Sequence, residues 1–261
     1  MRCLAEIMKI SVVTAVFNRQ ATIGDAIDSV RAQSWANVEH IIQDGGSSDG
    51  TLERIHGYSS PNMSIVSEPD TGIYDALNRG IRRATGDVIG LMHSDDLFAH
   101  NRVLEMVAAA LENTDIDGTY GDVEYIAKDD ASKVIRYWRS GEYHPRLLKR
   151  GWMPPHPTVY LRREVFDRLG VYDTSFEIAG DYDAMLRYLA KGGVKLAYIP
   201  EVMVKMRVGG ESSRSFERIV RKSAEDLRAL RKNQVGGYQT LAAKNLSKVR
   251  QFIQKDGSAS D

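Results

Sequence analysis

Residues 86–96 read Gly86-Asp87-Val88-Ile89-Gly90-Leu91-Met92-His93-Ser94-Asp95-Asp96. The stretch 87–92 predicts a short strand, and it runs directly into a histidine, a serine and two adjacent carboxylates. Adjacent carboxylates at a buried strand end repel each other and lose hydration. A divalent cation removes both penalties, and oxygen-only ligands favour Mg²⁺ or Mn²⁺. Two plainer readings stand beside this one: a cap for the helix that starts near Asn101, or a solvated turn. The choice turns on the kind of sheet to which the strand belongs.

Upstream, strand and helix signals alternate. Ile10–Val16 (ISVVTAV) is β-branched without alternation, the pattern of a strand buried on both faces. Residues 21–33 carry Ile23, Ala26, Ile27 and Val30 at helical spacing, and 38–43 read as a second strand. The turn-rich loop 44–50 (DGGSSDG) follows, with Asp49 placed to cap a helix over 51–58. A brief third strand at 64–67 and helices at 73–84 and 102–112 complete the series. Repeated β-α-β units with short connections predict an α/β, Rossmann-like, mostly parallel sheet with helices on both faces.

The pattern changes near residue 117. Strand-like runs at 119–126 and 133–138 flank Lys128-Asp129-Asp130 and predict a hairpin. Trp152-Met153-Pro154-Pro155-His156-Pro157 is too rigid for a helix interior. A strand at 158–161, helices at 163–169 and 182–191, and strands at 195–199 and 202–207 come next. From 213 the chain reads as helical, with Phe216, Ile219, Val220, Ala224, Leu227 and Leu230 on one stripe. The organisation expected is a first half over 8–116, a second half of the same domain over 117–212, and a helical extension over 213–256. The tail 256–261 is expected to be disordered.

Composition narrows the function classes. The chain has 261 residues, 43% hydrophobic and 27% charged, enough to bury a sizeable core. Lys plus Arg equals Asp plus Glu at 35 each, which argues against a surface built for nucleic acid. Yet residues 202–261 hold thirteen basic and six acidic residues. This basic helix is a solvated face, a peripheral contact for anionic membrane lipids, or a pairing surface for a second subunit. Cys3 is the single cysteine, which excludes an internal disulfide framework and a multi-cysteine zinc site. No apolar run approaches a membrane span, and residues 1–6 lack a signal-peptide core. Met8, just ahead of the first strand, is an alternative start. A cytoplasmic enzyme or binding domain is expected.

Ligands bind open parallel sheets at the carboxyl ends of the strands. Four such ends carry polar clusters: Ala15-Val16-Phe17-Asn18-Arg19, Asp44-Gly45-Gly46, Glu68-Pro69-Asp70-Thr71-Gly72 and His93-Ser94-Asp95-Asp96. An aromatic ring, carboxylates and flexible glycines on one edge suit a base, a ribose and a metal-bound diphosphate. Gly45 and Gly50 have P-loop spacing, but Thr51 stands where Lys is required, and no Gly-x-Gly-x-x-Gly follows the first strand. ATPase and nicotinamide-cofactor readings therefore lose their support. Asp44 is a turn former or an acceptor for a base N–H. Asp181, in Ala179-Gly180-Asp181-Tyr182-Asp183, is a helix cap or a general base. His156 faces an acceptor or packs structurally. Arg207 and the glycines at 209–210 hold phosphate through backbone N–H groups, or simply connect a strand to a helix.

Together these motifs resemble the family 2 glycosyltransferases of the GT-A fold. The resemblance is carried by residues 11–18 (SVVTAVFN), 43–51 (QDGGSSDGT), 70–81 (DTGIYDALNRGI) and 86–96, with His156-Pro157-Thr158 and Gly180-Asp181-Tyr182-Asp183. It spans residues 8–213 and is strongest to the bacterial branch that assembles polysaccharide, O-antigen or glycolipid. The resemblance implies that Ala15 and Phe17 line the base and that Asp44 reads its N–H. Gly72 and Asp75 approach the nucleotide, with Ser94 and Asp95 near the ribose. Asp96, with Asp95, binds Mn²⁺ or Mg²⁺, and Asp181 is the catalytic base. The family often has Glu-Asp where this chain has Gly180-Asp181, and Asp183 is the other carboxylate at hand. The implied activity is inverting transfer from a nucleoside-diphosphate sugar, with UDP favoured over GDP or dTDP, to a saccharide or lipid-linked acceptor. A sugar nucleotidyltransferase would want a Gly-rich, basic loop after the first strand, where this chain has Arg19 and no glycine before Gly24. A nucleotide-sugar-binding protein without turnover is the remaining class.

Overall fold

The computed structural model describes residues 7–208 and 216–253, with side chains at 7–208 and 217–246. The strands are β1 (Ile10–Val16), β2 (Val38–Asp44), β3 (Met63–Ser67), β4 (Val88–Leu91), β5 (Leu97–Phe98), β6 (Gly118–Ile126), β7 (Val134–Trp138), β8 (Tyr160–Arg162) and β9 (Leu196–Arg207). The helices are α1 (Ile23–Arg31), α2 (Thr51–His56), α3 (Ile73–Arg83), α4 (Val103–Ala110), α5 (Arg163–Leu169), α6 (Gly180–Leu186), α7 (Phe216–Lys232) and α8 (Tyr238–Ile253). The strands form one sheet in the order β3-β2-β1-β4-β8-β6-β9-β5, with β7 paired to β6.

The parallel block expected from the alternating signals is β3-β2-β1-β4. Beyond it the sheet is mixed. β8 runs antiparallel to both β4 and β6, while β6 and β9 are parallel. Residues 119–126 and 133–138 form the expected hairpin. The two strands expected at 195–199 and 202–207 are one strand, β9, which passes Pro200 at a register irregularity against β6. Proline lacks an N–H and is tolerated there.

Every residue of β1 is buried, because helices cover both faces. Val13 and Ala15 share one apolar cluster with Leu77 and Ile81 of α3 and with Ile89 and Leu91 of β4. Ile10 and Val12 point the other way, into a cluster with Ala26 and Val30 of α1 and Val103, Leu104 and Val107 of α4. A Cβ on Gly80 would sit 2.4 Å from Val13, so glycine lets α3 lie directly on the sheet. α6 starts at Gly180 and continues through Arg187–Lys191 with i→i+5 hydrogen bonding.

Of the stripe read from its sequence, α7 buries only Leu230 among the described side chains. Ile219 and Val220 are exposed, and the buried positions are Asp226, Ala229, Leu230 and Asn233. The docked face is partly polar: Lys244 of α8 bonds Asp226 at 2.8 Å, and Asn233 bonds Asp183 at 2.9 Å. Among the described residues no helix is long and apolar enough to cross a membrane. Residues 1–6, the glycine turn at 209–213 and the tail at 256–261 lie outside the described residues.

Gly90 in β4 is the tightest point of the core, since a Cβ there would sit 2.1 Å from the fully buried Tyr160 ring of β8. Gly90→Ala is expected to lower stability by about 1–3 kcal/mol, the usual cost of overpacking. Chemical denaturation of the purified variant measures it.

Candidate active site

Parallel register brings the ends of β1, β2 and β3 level, while β4 ends at Leu91, opposite Val13. Val16 pairs with Asp44, Asp44 with Ser67, and the Met92 N–H donates to Val13 O. All four polar clusters therefore emerge on one edge. The first two are laced together: the Asn18 N–H donates to Ser47 Oγ, and the Ser48 N–H donates to Asn18 Oδ1. Asn18 adopts φ 49°, a left-handed conformation that Asn tolerates. Ala15 is buried at the end of β1, whereas Phe17 is 56% exposed on the rim. The Phe17 ring and the Asp70 carboxylate both overhang Gly45.

Asp44 is fully buried and serves its own loop. Its Oδ2 accepts from the Gly46 and Ser47 N–H groups and from Ser67 Oγ, and its Oδ1 accepts from Ser47 Oγ. The N-terminus of α3 is more open. Gly72, at φ 129°, has nothing within 4 Å of where a Cβ would stand. Asp75 Oδ2 accepts from the Thr71 N–H and from Arg79, which fixes the loop leading into the helix.

Asp95 and Asp96 do not cap α4, whose N-cap is Arg102. They lie between β4 and β5. Ser94 is buried, and its carbonyl accepts from Thr22 Oγ1. Asp95 is half-buried, and Asp96 is 3% exposed. Burial and the neighbouring Asp95 push the Asp96 carboxyl well above the usual carboxylate range, against the Arg207 N–H and guanidinium. Its Oδ1 accepts the Arg207 N–H at 3.1 Å. Arg207 donates from Nη2 to Asp25 at 2.5 Å, while its buried Nε and Nη1 have no hydrogen-bond partner among the described residues. A divalent cation fits this donor set, because it would offset the cost of ionising Asp96. Among the described residues no cluster of three or more His, Cys, Asp or Glu could hold an ion. Two carboxylates completed by phosphate oxygens and water is the usual arrangement for Mg²⁺ with a nucleotide.

Asp181 faces a different set of neighbours. Its Oδ1 accepts from the Tyr182 N–H at 2.8 Å and lies 3.4 Å from the Tyr74 hydroxyl. Burial raises its carboxyl, but the fields of His156, Lys222 and Lys244 with the Tyr182 N–H outweigh that and hold it below its usual value. The Tyr74 hydroxyl also donates to Ile178 O at 2.8 Å, and burial beside Asp181 keeps it protonated. A Cβ on Gly180 would sit 2.8 Å from the Tyr74 ring, which is the physical reason that glycine precedes this aspartate. Asp183 is fully buried and paired with Lys232 of α7 and with Asn233 just past it.

His93 joins the two acid groups. It lies in the fields of both Asp95 and Asp181, and its ring is 5.8 Å from that of His156. His156 is buried and bonded through Nε2 to Tyr172 Oη at 2.7 Å, so it packs structurally. Sequence reading singled out neither Tyr74 nor His93. Both lie inside quoted motifs, but their partners are brought by distant segments.

A model of the family described as Glycosyl transferase family 2 matches residues 11–170. An uncharacterized glycosyltransferase of Mycobacterium tuberculosis (strain ATCC 25618 / H37Rv) is 32% identical over 180 residues, covering 68% of each chain. A PGL/p-HBAD biosynthesis glycosyltransferase of Mycobacterium bovis (strain BCG / Pasteur 1173P2) is 28% identical over 211 residues, covering 79% of each. The fold is shared with the mannosyltransferase PcManGT from Pyrobaculum calidifontis in complex with GDP-Man and Mn²⁺. That likeness has a TM-score of 0.65 at 17% identity, over 97% of this chain and 77% of that one.

Burial lowers His156 from 6.5 to about 4. The folded chain keeps it neutral while the unfolded chain protonates below 6.5, so stability is lost as pH falls from 6.5 towards 4. The slope is about 1.4 kcal/mol per pH unit for one such histidine. Thermal melts between pH 7.5 and 4 are expected to show a shallower acid decline for His156→Gln than for the parent chain.

Proposed function

The chain belongs to glycosyl transferase family 2, and from that premise we propose that it is an inverting, metal-dependent transferase. The sugar passes from a nucleoside-diphosphate donor to a hydroxyl of a saccharide or lipid-linked acceptor. The observation that carries this reading is the buried Asp96 beside Asp95 where β4 leaves the sheet, with His93 of the same turn in the fields of both Asp95 and Asp181.

Ala15 and Phe17 form the floor and rim against the base. Asp44 shapes that wall through Gly46, Ser47 and Ser67, and Oδ1, which among the described residues accepts only from Ser47, is the oxygen that would read a base N–H. Gly72 and Asp75 keep the α3 terminus open beside the nucleotide, with Ser94 and Asp95 at the ribose. Asp96, with Asp95, would hold a Mn²⁺ or Mg²⁺ ion, which supplies positive charge against the leaving diphosphate. The GDP-Man and Mn²⁺ of the P. calidifontis neighbour support this donor and metal class.

Asp181 is ionised at neutral pH and takes the proton of the acceptor hydroxyl as that oxygen attacks the anomeric carbon. The bond from carbon to diphosphate breaks on the opposite face. Asp181 is assigned rather than Asp183 because the Asp183 carboxylate is spent on Lys232 and Asn233. General-base catalysis is worth ~10²–10⁴ in rate. A lipid-linked acceptor would be met at a membrane face, where exposed Ile219 and Val220 of α7 stand beside Arg218.

Calorimetric titration with UDP, GDP, dTDP and CMP, each with and without Mn²⁺, identifies the donor class. One nucleotide is expected to bind in a metal-dependent way. Asp96→Ala is expected to weaken both metal and nucleotide binding. Asp181→Asn is expected to bind nucleotide normally and lose ~10²–10⁴ in transfer rate. Full activity in that variant would remove Asp181 as the base. Co-sedimentation with anionic vesicles at low salt tests the membrane contact, which absence of binding would exclude.

A further inference from the structure

Of the strand-end motifs, only Tyr74 reaches the segment that carries Asp181. The grip comes from α7, beyond the residues that the family model matches. The Glu225 carboxylate accepts three successive backbone N–H groups: Glu177 on Oε1 at 3.0 Å, and Ile178 and Ala179 on Oε2 at 2.8 Å each. Successive N–H groups turned the same way make a concave anion seat, and here the anion is a side chain of the same protein. These bonds, with Arg228, hold the Glu225 carboxyl below its usual range despite partial burial.

The same peptide is held from its other side. The Ile178 carbonyl accepts the Tyr74 hydroxyl from α3 at 2.8 Å. Residues 177–179 are thus clamped between α7 and α3, and Asp181 follows two residues later in the first turn of α6. Further bonds join the same two segments. Arg221 pairs with Glu177, Arg228 donates to Ser175 O at 2.8 Å and lies 3.7 Å over the Phe176 ring, and Lys232 bonds Asp173 and Asp183. These contacts fasten the loop ahead of residue 177 and the helix behind residue 181. Among the described residues, Glu225 alone accepts the amides of 177–179.

We propose that Glu225 is a positioning residue for Asp181, so that α7 completes the active site from outside the nucleotide-binding half. The inference rests on reading Asp181 as the general base. Its signature is a split in the kinetics. Glu225 bonds the amides ahead of the base and none of the residues assigned to the donor, so its loss is expected to lower kcat and leave the donor KM alone. A displacement of about 1 Å in a catalytic group costs ~10²-fold in rate.

The test uses the full chain with Mn²⁺ and measures nucleotide release from UDP-glucose, UDP-N-acetylglucosamine and GDP-mannose. Glu225→Ala, Glu225→Gln and Asp181→Asn are run in parallel. Glu225→Ala is expected to lose ~100-fold in kcat with the donor KM within about twofold. Glu225→Gln keeps an acceptor oxygen but turns an N–H₂ towards the seat, and is expected to fall between Ala and the parent. Hydrogen exchange at the amides of 177–179 should accelerate in both variants. Parent-level kcat in Glu225→Ala, beside a dead Asp181→Asn, would overturn the proposal while sparing the base. Unchanged exchange at 177–179 would also overturn it. Should the alanine variant fail to fold, Glu225→Gln decides by the same two readouts. Full turnover in Asp181→Asn would instead sink the reading of the base itself.

Discussion

The hydrogen-bonded register of β1 between β2 and β4 governs what the rest of the molecule can do. A parallel ladder fixes the register of neighbouring strands, and here β1, β2 and β3 end level at Val16, Asp44 and Ser67 while β4 ends at Leu91, opposite Val13. Each strand must then turn away into a helix, and each turn leaves its polar residues at the same rim. Covering β1 on both faces makes the ladder dry and the register stiff. The cost is that any carboxylate at the rim starts from a poorly hydrated position.

The aspartates of this site show how environment divides one residue type into several tasks. Asp44 is fully enclosed and organises a loop by accepting N–H and O–H groups. Asp96 is equally enclosed but has few donors, so its charge calls for a cation. Asp181 sits under basic side chains and stays ionised. Asp183, two residues after Asp181, is consumed by Lys232 of α7 and by Asn233 just past it. Sequence spacing alone cannot separate Asp181 from Asp183, because the separation is made by which face of α6 meets α7.

The parallel half was legible because its signals are local: apolar runs of strand length, helical spacing between them, and polar clusters at the run ends. The second half was less so. β8 is three residues long, and its place between β4 and β6 depends on Gly90 making room for Tyr160, a long-range fit with no periodicity. The buried face of α7 was misread because Asp226 and Asn233 stand where an apolar stripe would be sought. Glu225 had no sequence signal for the same reason. Its partners are backbone amides some 47 positions earlier, and backbone amides have no letter in a sequence.

The contact of Gly180 with Tyr74 makes these two positions a single unit of change. Any side chain at 180 meets the ring, and a small residue at 74 opens a void above the glycine while releasing the Ile178 carbonyl and the hydroxyl beside Asp181. Each substitution alone is therefore harmful, and only a paired exchange could install a carboxylate at 180. Such coupling between touching residues makes the effects of single changes non-additive. A family member with an acid ahead of its base and one with a glycine there are separated by a barrier that point mutation crosses only through a damaged intermediate.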